Sequence, residues 1–453
     1  MRRPHVAHES IRMAPLAIIA RPAQSQGREA MQLPIAAQVP GQTRAAFDAR
    51  WQRVADCIAL RTPDRMPVSL IAGFWFARYG GISCRQLMYD HALANQLGER
   101  AMLEFDPDIG GGPGPSTAWG PLLDAMDFRQ LEWPGHGAPE NASYQYLDRE
   151  YMRAEEYDDF IFDPTGFLFE TYLPRVAGAY EGLQPLAGIA GNCYLGFAAT
   201  AFVFQLPGVV SAFDRLRAAG AKALEMFGLN AALTQRLAQL GYPPIAGGSA
   251  QAPYDVLADY MRGAKNMMTD LYRRPDKVHA ALAKLEVLIL KRTLAAMRSA
   301  PSPVVIIPIH WAPDNFMSQK QFATFYWPSF RRLLLALIDH GLVPMPLWEA
   351  DCTRRLELIG DVPAGKCLYW FEGTDLVKAH EVLGDRVALH GNLGASLMTT
   401  GTPVQVDAAV RHLAENVFHK GGKLVLSTCS PIPDETPVEN VRAMFAAARK
   451  YGT

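Results

Sequence analysis

The chain has 453 residues, with 49% hydrophobic and 20% charged residues, values that are typical of a globular enzyme with a sizeable core. Its formal net charge of −1 excludes a partner selected by strong charge, such as a nucleic acid. The six cysteines are scattered without a CxxC pair, which favours a reducing, cytoplasmic compartment over a disulfide scaffold. Because no apolar run reaches the roughly 18 residues of a membrane-spanning helix, no membrane partner is expected.

The beginning of the chain differs from the rest in composition. It carries arginines at positions 2, 3, 12, 21 and 28 with few acidic residues and no periodic apolar pattern. We interpret residues 1–43 as a disordered segment or an extension, and residues 44–453 as one large folded domain.

The first half of the domain mixes strands with longer helices. Three strands are predicted there: one from about Pro67, one over 104–110, and one in FIFDPTGF that ends at Asp163. The helices predicted beside them cover 44–61, 86–103, 205–240 and two segments of 253–300. Asp106 and Asp108 are expected at the polar end of the second strand.

The second half alternates strands and helices regularly. Its predicted strands cover 303–310, 342–348, 366–373, 387–390 and 424–426. Three capping boxes mark helix starts after these strands: Ser318–Gln321, Thr402–Gln405 and Thr436–Glu439. With the earlier strands the total is about eight, which favours a closed (β/α)8 TIM barrel with an N-terminal extension and helical insertions.

Side chains that directly follow the strands of such a barrel converge on one mouth. The predicted set is Asp106, Asp108, Asp163, His310, Glu349, Asp351, Glu372, Asn392 and Cys429. These residue types ligate divalent metals or transfer protons. Several of them also have a structural interpretation that the sequence leaves open. Asp351 can cap a helix, Asp163 can form a turn, Asn392 can take a left-handed conformation, and His310 and Cys429 can be core residues.

Residues from about 45 to 452 resemble the uroporphyrinogen decarboxylase superfamily, which includes the decarboxylase of haem synthesis and corrinoid-dependent methyltransferases. The segment HGNLGASLMTTGTPVQV is similar to the family's GN-(x)-P-x-x-x-L-x-x-GTPEEV pattern. The segment STCSPIPDETPVENVRAM is similar to its GCxIxxxTPxENVxAM pattern, and PDRMPVSL also matches. The resemblance implies a (β/α)8 barrel with its site at the carboxyl-terminal mouth.

The two branches of this family differ at identifiable positions. The decarboxylase has an arginine-rich segment that holds its polyacidic porphyrinogen, and the matching stretch GFWFARYGGIS keeps only Arg78-Tyr79. The methyltransferases bind zinc through a His-x-Cys pair and a final cysteine. Cys429 matches that cysteine, whereas Glu349 and Asp351 occupy the spacing of the pair with oxygen ligands. His310 could complete a four-ligand site.

The resemblance therefore implies a metal-assisted methyltransferase whose divalent metal, zinc in the first place, is held by His310, Glu349, Asp351 and Cys429. A corrinoid (cobalamin) would come on a partner protein, because the chain has no DxHxxG-type signature. The other partner would be a small methyl donor or acceptor. An apolar pocket wall for a donor larger than methanol is expected from five residues: Phe74, Trp75, Trp311, Tyr326 and Trp370.

Two alternatives stay open. One is a metal-free lyase that uses Asp106, Asp163 and Arg78 around a polyacidic substrate. Independently of that choice, the candidate catalytic residues are Asp163, Asn392 and Arg78. The other is a non-enzymatic barrel that binds a corrinoid protein or a tetrapyrrole. A basic mouth would favour the lyase, and an acidic mouth would favour the methyltransferase. The oligomeric state is open, with a homodimer as one option.

Overall fold

The computed structural model describes residues 31, 33–113 and 119–453. Its strands, numbered in chain order, are β1 (Ser69–Leu70), β2 (Ile109–Gly110), β3 (Leu131–Pro134), β4 (Gly137–Ala138), β5 (Gln145–Tyr146), β6 (Gly248–Ser249), β7 (Val304–Ile309), β8 (Val343–Trp348), β9 (Leu368–Phe371), β10 (Ala388–Leu393) and β11 (Leu424–Thr428). Strands β3 to β5 form a small separate sheet.

The other eight described strands close into a parallel barrel. Strands β6 to β11 form one sheet in chain order, and β1 pairs with β2 in parallel. Parallel bridges between Gly110 and Pro244 and between Val68 and Leu426 join the two sets at both edges. The predicted (β/α)8 barrel is confirmed, and its mouth is formed by the carboxyl ends of these strands.

Helices surround the barrel. In the first half they are α1 (Gly41–Ile58), α2 (Trp75–Gly80), α3 (Cys84–Tyr89), α4 (His91–Phe105), α5 (Gly120–Met126), α6 (Tyr157–Phe162), α7 (Pro164–Phe167), α8 (Leu173–Val176), α9 (Tyr194–Ala199) and α10 (Pro207–Gln239). In the second half they are α11 (Pro253–Asp255), α12 (Ala264–Arg273), α13 (Pro275–Met297), α14 (Gln319–Gln321), α15 (Trp327–Asp339), α16 (Leu356–Ile359), α17 (Leu376–Leu383), α18 (Ala395–Thr400), α19 (Pro403–Leu413) and α20 (Val438–Tyr451).

The strand predicted over 104–110 is present only at its end, as β2, and the strand predicted in FIFDPTGF was wrong. Helix α4 continues to Phe105, so Asp106 and Asp108 precede β2 and lie at the end of the barrel opposite the mouth. FIFDPTGF is helical, and Asp163 caps α7 by accepting a hydrogen bond from the backbone of Gly166. Short apolar runs do not distinguish a strand from a buried helix turn. The barrel strand that was not predicted is β6, which lies in a glycine-rich stretch.

Two of the three predicted capping boxes are confirmed. Ser318 and Thr402 each accept a hydrogen bond from the backbone three residues later, and the glutamine there bonds back. The Thr436 box was wrong, because α20 begins at Val438 with Pro437 as its N-cap. The indole of Trp75 donates to the carbonyl of Thr436, which holds this segment against the first barrel unit.

The N-terminal part of the described chain closes the end of the barrel opposite the mouth. A 3₁₀ turn at Pro34–Gln38 and helix α1 bury Ile35, Phe47 and Trp51 in one cluster with Val304 and Val425 of the barrel strands. The packed structure therefore starts before residue 44. Residues 1–30 of the predicted extension lie outside the described residues.

Among the described residues, no helix is by itself both long and apolar enough to cross a bilayer. The segments Tyr194–Gln205 and Pro207–Gln239 pass the same length and composition test only as a pair, with a bend of 70° between them.

Candidate active site

His310 lies at the mouth, directly after β7, between two carboxylates. Its ring Nδ1 is 2.6 Å from Oδ2 of Asp259, and its Nε2 is 3.6 Å from Oε1 of Glu349. Its backbone N–H donates to Oδ2 of Asp255 over 2.9 Å. The side chains of His310 and Glu349 are about one-third exposed, at 34% and 36%, so both can be reached from the mouth.

The two aspartates come from the helical segment that follows β6. Asp255 ends α11, and Asp259 lies one turn later in a π-helical turn over Val256–Arg262. The indole of Trp311 donates to Oδ1 of Asp259 over 2.5 Å, and the hydroxyl of Tyr326 donates to the buried Asp255 over 3.0 Å. Sequence reasoning missed both aspartates because β6 has only two residues, although their i, i+4 spacing was visible.

Electrostatics make His310 a cation near neutral pH. Burial acts to lower the pKa of His310, but the hydrogen bond to Asp259 and the charges of Asp255 and Glu349 outweigh it and raise this pKa to about 9. Burial is the main cause that raises the pKa of Glu349 to about 7. The charge of His310 acts to lower this pKa, and the charge of Glu372 acts to raise it. Burial also raises the pKa of Asp255. The group can therefore store and release a proton near pH 7.

Glu372 and Cys429 directly follow β9 and β11, and Asn392 lies near the carboxyl end of β10. Glu372 accepts a hydrogen bond of 2.6 Å from the backbone of Ala350, and the amide of Asn392 donates to the carbonyl of Thr374 over 2.6 Å. Gly391 rather than Asn392 has the positive φ, at +114°. Cys429 is buried, and burial is the main cause that raises the pKa of its thiol.

Asp351 has a local structural role. Its Oδ1 accepts hydrogen bonds from the backbone and the hydroxyl of Thr353, at 2.9 and 2.6 Å. Of the four predicted metal ligands, the structure brings His310 and Glu349 into contact, while Asp351 turns to its own loop. Over the described ranges, no group of three or more His, Cys, Asp or Glu side chains is arranged to hold a metal ion. The four residues do not fit a single metal site in this arrangement.

The remaining catalytic candidates, Asp163 and Arg78, are both exposed. Asp163 is an exposed helix cap, as described above, and Arg78 is exposed on α2. Among the described residues, no lysine or arginine forms an ion pair with Asp255, Asp259, Glu349 or Glu372. The mouth around His310 is therefore acidic.

Aromatic rings surround this acidic group in part. Trp311 packs against Phe316 with ring centroids 5.2 Å apart, and Phe74 packs against Tyr144 at 5.9 Å. Burial raises the pKa of Tyr144, and the charges of Asp434 and Glu349 add to this, which places Tyr144 within electrostatic reach of Glu349.

Two residues of the predicted pocket wall belong to the core instead. Trp75 and Trp370 are buried, and their indoles donate to the carbonyls of Thr436 and Thr428. The predicted wall was therefore wrong at these two positions.

Comparisons with known proteins agree with this architecture. A solved methyltransferase from Methanosarcina mazei superposes with a TM-score of 0.56 and 16% identity, over 88% of this chain and 98% of that chain. At this identity the similarity shows the fold alone.

Curated relatives match by sequence over part of their length. A uroporphyrinogen decarboxylase from Chlorobium luteolum is 30% identical over 147 residues, which are 32% of this chain and 39% of the relative. One from Coxiella burnetii is 25% identical over 211 residues, which are 45% of this chain and 57% of the relative. The chain thus spans less than two thirds of the length of these relatives. The family model described as "Uroporphyrinogen decarboxylase (URO-D)" matches residues 209–451, more than half of the chain. The chain therefore belongs to the URO-D family.

Proposed function

We propose that this chain is an enzyme that moves a methyl group between a small molecule and a corrinoid carried by a partner protein. The observation that carries the proposal is the acidic mouth, in which His310 is held between Asp259 and Glu349. The shared fold with a methyltransferase supports it. The six free cysteines support a reducing compartment, the cytoplasm.

The charge of the mouth separates this proposal from the lyase alternative. A polyacidic porphyrinogen needs several cationic partners, ideally arginines that bind carboxylates in a bidentate fashion. Around His310 the described ionisable groups are mostly carboxylates, which would repel such a substrate. A neutral or cationic methyl compound meets no such repulsion.

His310 has the properties of a proton donor for the group that leaves the methyl carbon. Its Nδ1–H is held by Asp259, so the protonated ring directs its Nε2–H toward Glu349 and the mouth. When the bond between the methyl carbon and an oxygen breaks, that oxygen takes the electron pair and needs a proton, which Nε2 can supply. In the reverse direction the neutral imidazole removes the same proton. The corrinoid supplies the cobalt that accepts or gives the methyl group.

Metal assistance remains a prediction from the family resemblance. His310, Glu349 and Cys429 lie at the ends of barrel strands, but the four predicted ligands do not face one point, as described above. We therefore assign no step to a metal, and the proton transfer described here needs none.

The proposal is tested with free cobalamin in its reduced Co(I) form and a panel of methyl ethers and alcohols. Formation of methylcobalamin, followed by its absorption spectrum, is expected with the wild type and is expected to be lost with His310→Ala. Asp163→Ala is the matched control and should retain the rate, because that carboxylate only caps α7. Absence of methylcobalamin together with release of carbon dioxide from uroporphyrinogen would replace the proposal by the lyase.

A further inference from the structure

Tyr144 reaches the mouth from a sheet that is separate from the barrel. It directly precedes β5 of the small sheet, in the insertion that follows β2. Its ring packs edge-on against the ring of Phe74, which follows β1, with centroids 5.9 Å apart. The side chain is not a core residue, because 39% of Tyr144 is exposed. Tyr144 therefore belongs to the lining of the mouth rather than to the interior of the small sheet.

The chain on both sides of Tyr144 is fixed to the rim of the mouth. On one side, the hydroxyl of Ser143 donates a hydrogen bond to the carboxylate of Asp434, in the loop after β11. On the other side, the hydroxyl of Tyr146 donates to the backbone carbonyl of Asp259, in the turn after β6. Tyr144 lies between these two anchors, so separate parts of the barrel rim hold it in place.

The surroundings of Tyr144 place it over the mouth rather than at one edge. Burial is the main cause that raises the pKa of Tyr144, and the charges of Asp434 and Glu349 add to it. Phe74, Asp434 and Glu349 follow β1, β11 and β8. In the closed order β1, β2, β6, β7, β8, β9, β10 and β11, strand β8 is opposite β1. A single side chain within reach of all three residues lies above the opening.

The hydroxyl of Tyr144 is available to a bound molecule. Within the described part of the chain, no group forms a hydrogen bond with this hydroxyl. In contrast, the indole of Trp311 and the hydroxyl of Tyr326 donate to Asp259 and Asp255. Because its raised pKa keeps the phenol neutral, the hydroxyl of Tyr144 can donate a hydrogen bond at neutral pH.

We propose that Tyr144 binds the end of the methyl donor remote from its methyl group and selects donors with a neutral oxygen there. The inference rests on the proposed function, in which the other end of the donor meets His310. The ring supplies apolar contact, and the hydroxyl donates to the oxygen. A carboxylate at that end would be repelled by Asp434 and Glu349. An apolar end would cover the hydroxyl without giving it a partner.

The test uses methyl ethers of equal length that differ only at the remote end: 2-methoxyethanol, 1-methoxypropane and methoxyacetate. Their binding to the full chain is measured by ligand-observed NMR titration without any corrinoid, so this measurement needs no methyl transfer. The wild type is expected to bind 2-methoxyethanol about 2- to 10-fold more tightly than 1-methoxypropane, the usual effect of one hydrogen bond. Methoxyacetate should bind most weakly. Tyr144→Phe is expected to lose the preference for 2-methoxyethanol over 1-methoxypropane.

Tyr451→Phe is the matched control. The hydroxyl of Tyr451 donates to Asp407 at the end of α20, away from the mouth, so this variant should keep the wild-type preference. With reduced cobalamin added, Tyr144→Phe is expected to raise the KM for 2-methoxyethanol by the same factor and to leave kcat unchanged. The reason is that Tyr144 does not touch the reacting atoms. Circular dichroism verifies that both variants are folded.

Two results would overturn the proposal. The first is a wild type that binds the three ethers equally or binds none of them. The second is a folded Tyr144→Phe variant that keeps the preference for 2-methoxyethanol. Selective binding of 2-methoxyethanol without any formation of methylcobalamin would count against the proposed function, and it would still support the role of Tyr144 in selecting the ligand.

Discussion

The two ends of the barrel treat buried carboxylates in opposite ways. At the end closed by α1, the fully buried Asp108 pairs with Arg53 at 3.0 Å and with Arg65 at 2.8 Å. At the mouth, the ring of His310 is the one cationic partner that the described residues offer to Asp255, Asp259 and Glu349. A fully paired buried carboxylate is costly to disrupt, whereas an excess of carboxylates around one histidine keeps protons available near neutral pH. The buried carboxylate therefore has a structural role at the end closed by α1, which we call the structural end, and the carboxylates at the mouth have a chemical role, so we call the mouth the chemical end.

The largest expected effect is on the chemical end. His310→Ala removes the proposed proton donor and is expected to lower the rate of cobalamin methylation by about 10²–10⁴-fold, the usual contribution of a general acid. The free energy of unfolding should change far less, since the ring is one-third exposed. His412→Ala, on the exposed face of α19, is the control. Equal rates in both variants would contradict the role of His310.

The next effect is on the structural end. Asp108→Ala leaves Arg53 and Arg65 without their buried partner and is expected to lower the free energy of unfolding by about 3–5 kcal/mol. Asp48→Ala breaks only the exposed pair with Arg44 and should cost about 0.5 kcal/mol or less. Urea titration measures both. The folded Asp108→Ala variant should retain methyl transfer. A loss of this activity in the folded variant would show that the closed end of the barrel affects the chemistry at the mouth.

A smaller effect concerns pH. The raised pKa of His310, about 9, predicts that the rate falls as pH rises through 9, because the proton donor is lost. Asp259→Asn removes a hydrogen bond that raises this pKa, so the descending limb should move to lower pH. In the wild type, the raised pKa of His310 also stabilises the fold. This contribution is fully present below the ordinary histidine pKa of about 6.5 and is lost as pH rises through 9. A pH–rate profile that is unchanged in Asp259→Asn would contradict the role of Asp259 in raising the pKa of His310.

The smallest effect is expected at Asp351. Asp351→Asn keeps the oxygen that accepts from Thr353, so stability should change by less than about 0.5 kcal/mol. The zinc content of the purified protein, measured by elemental analysis, should equal that of the wild type whatever its value. Cys429→Ala is the companion variant that addresses the zinc prediction itself. Loss of zinc in Asp351→Asn would show that this carboxylate leaves Thr353 to bind metal.

The regular half of the barrel was predictable because its signals are local. Strands β7 to β11 have four to six mostly apolar residues, and two of the following helices begin at capping boxes that formed as predicted. The early barrel strands have two residues each, too few for a periodic pattern. For that reason Asp106 and Asp108 were assigned to the wrong end of the barrel, and the segment with Asp255 and Asp259 was overlooked.

The sequence by itself determined the family, the closed barrel and the position of His310, Glu349 and Cys429 at strand ends, because each depends on neighbouring residues along the chain. Only the tertiary structure decided which of them meet. The partners of His310 lie 51 residues before it, at Asp259, and directly after the next strand, at Glu349. Side-chain direction also decided that Asp351 bonds to its own turn, since a short local hydrogen bond competes with any distant partner.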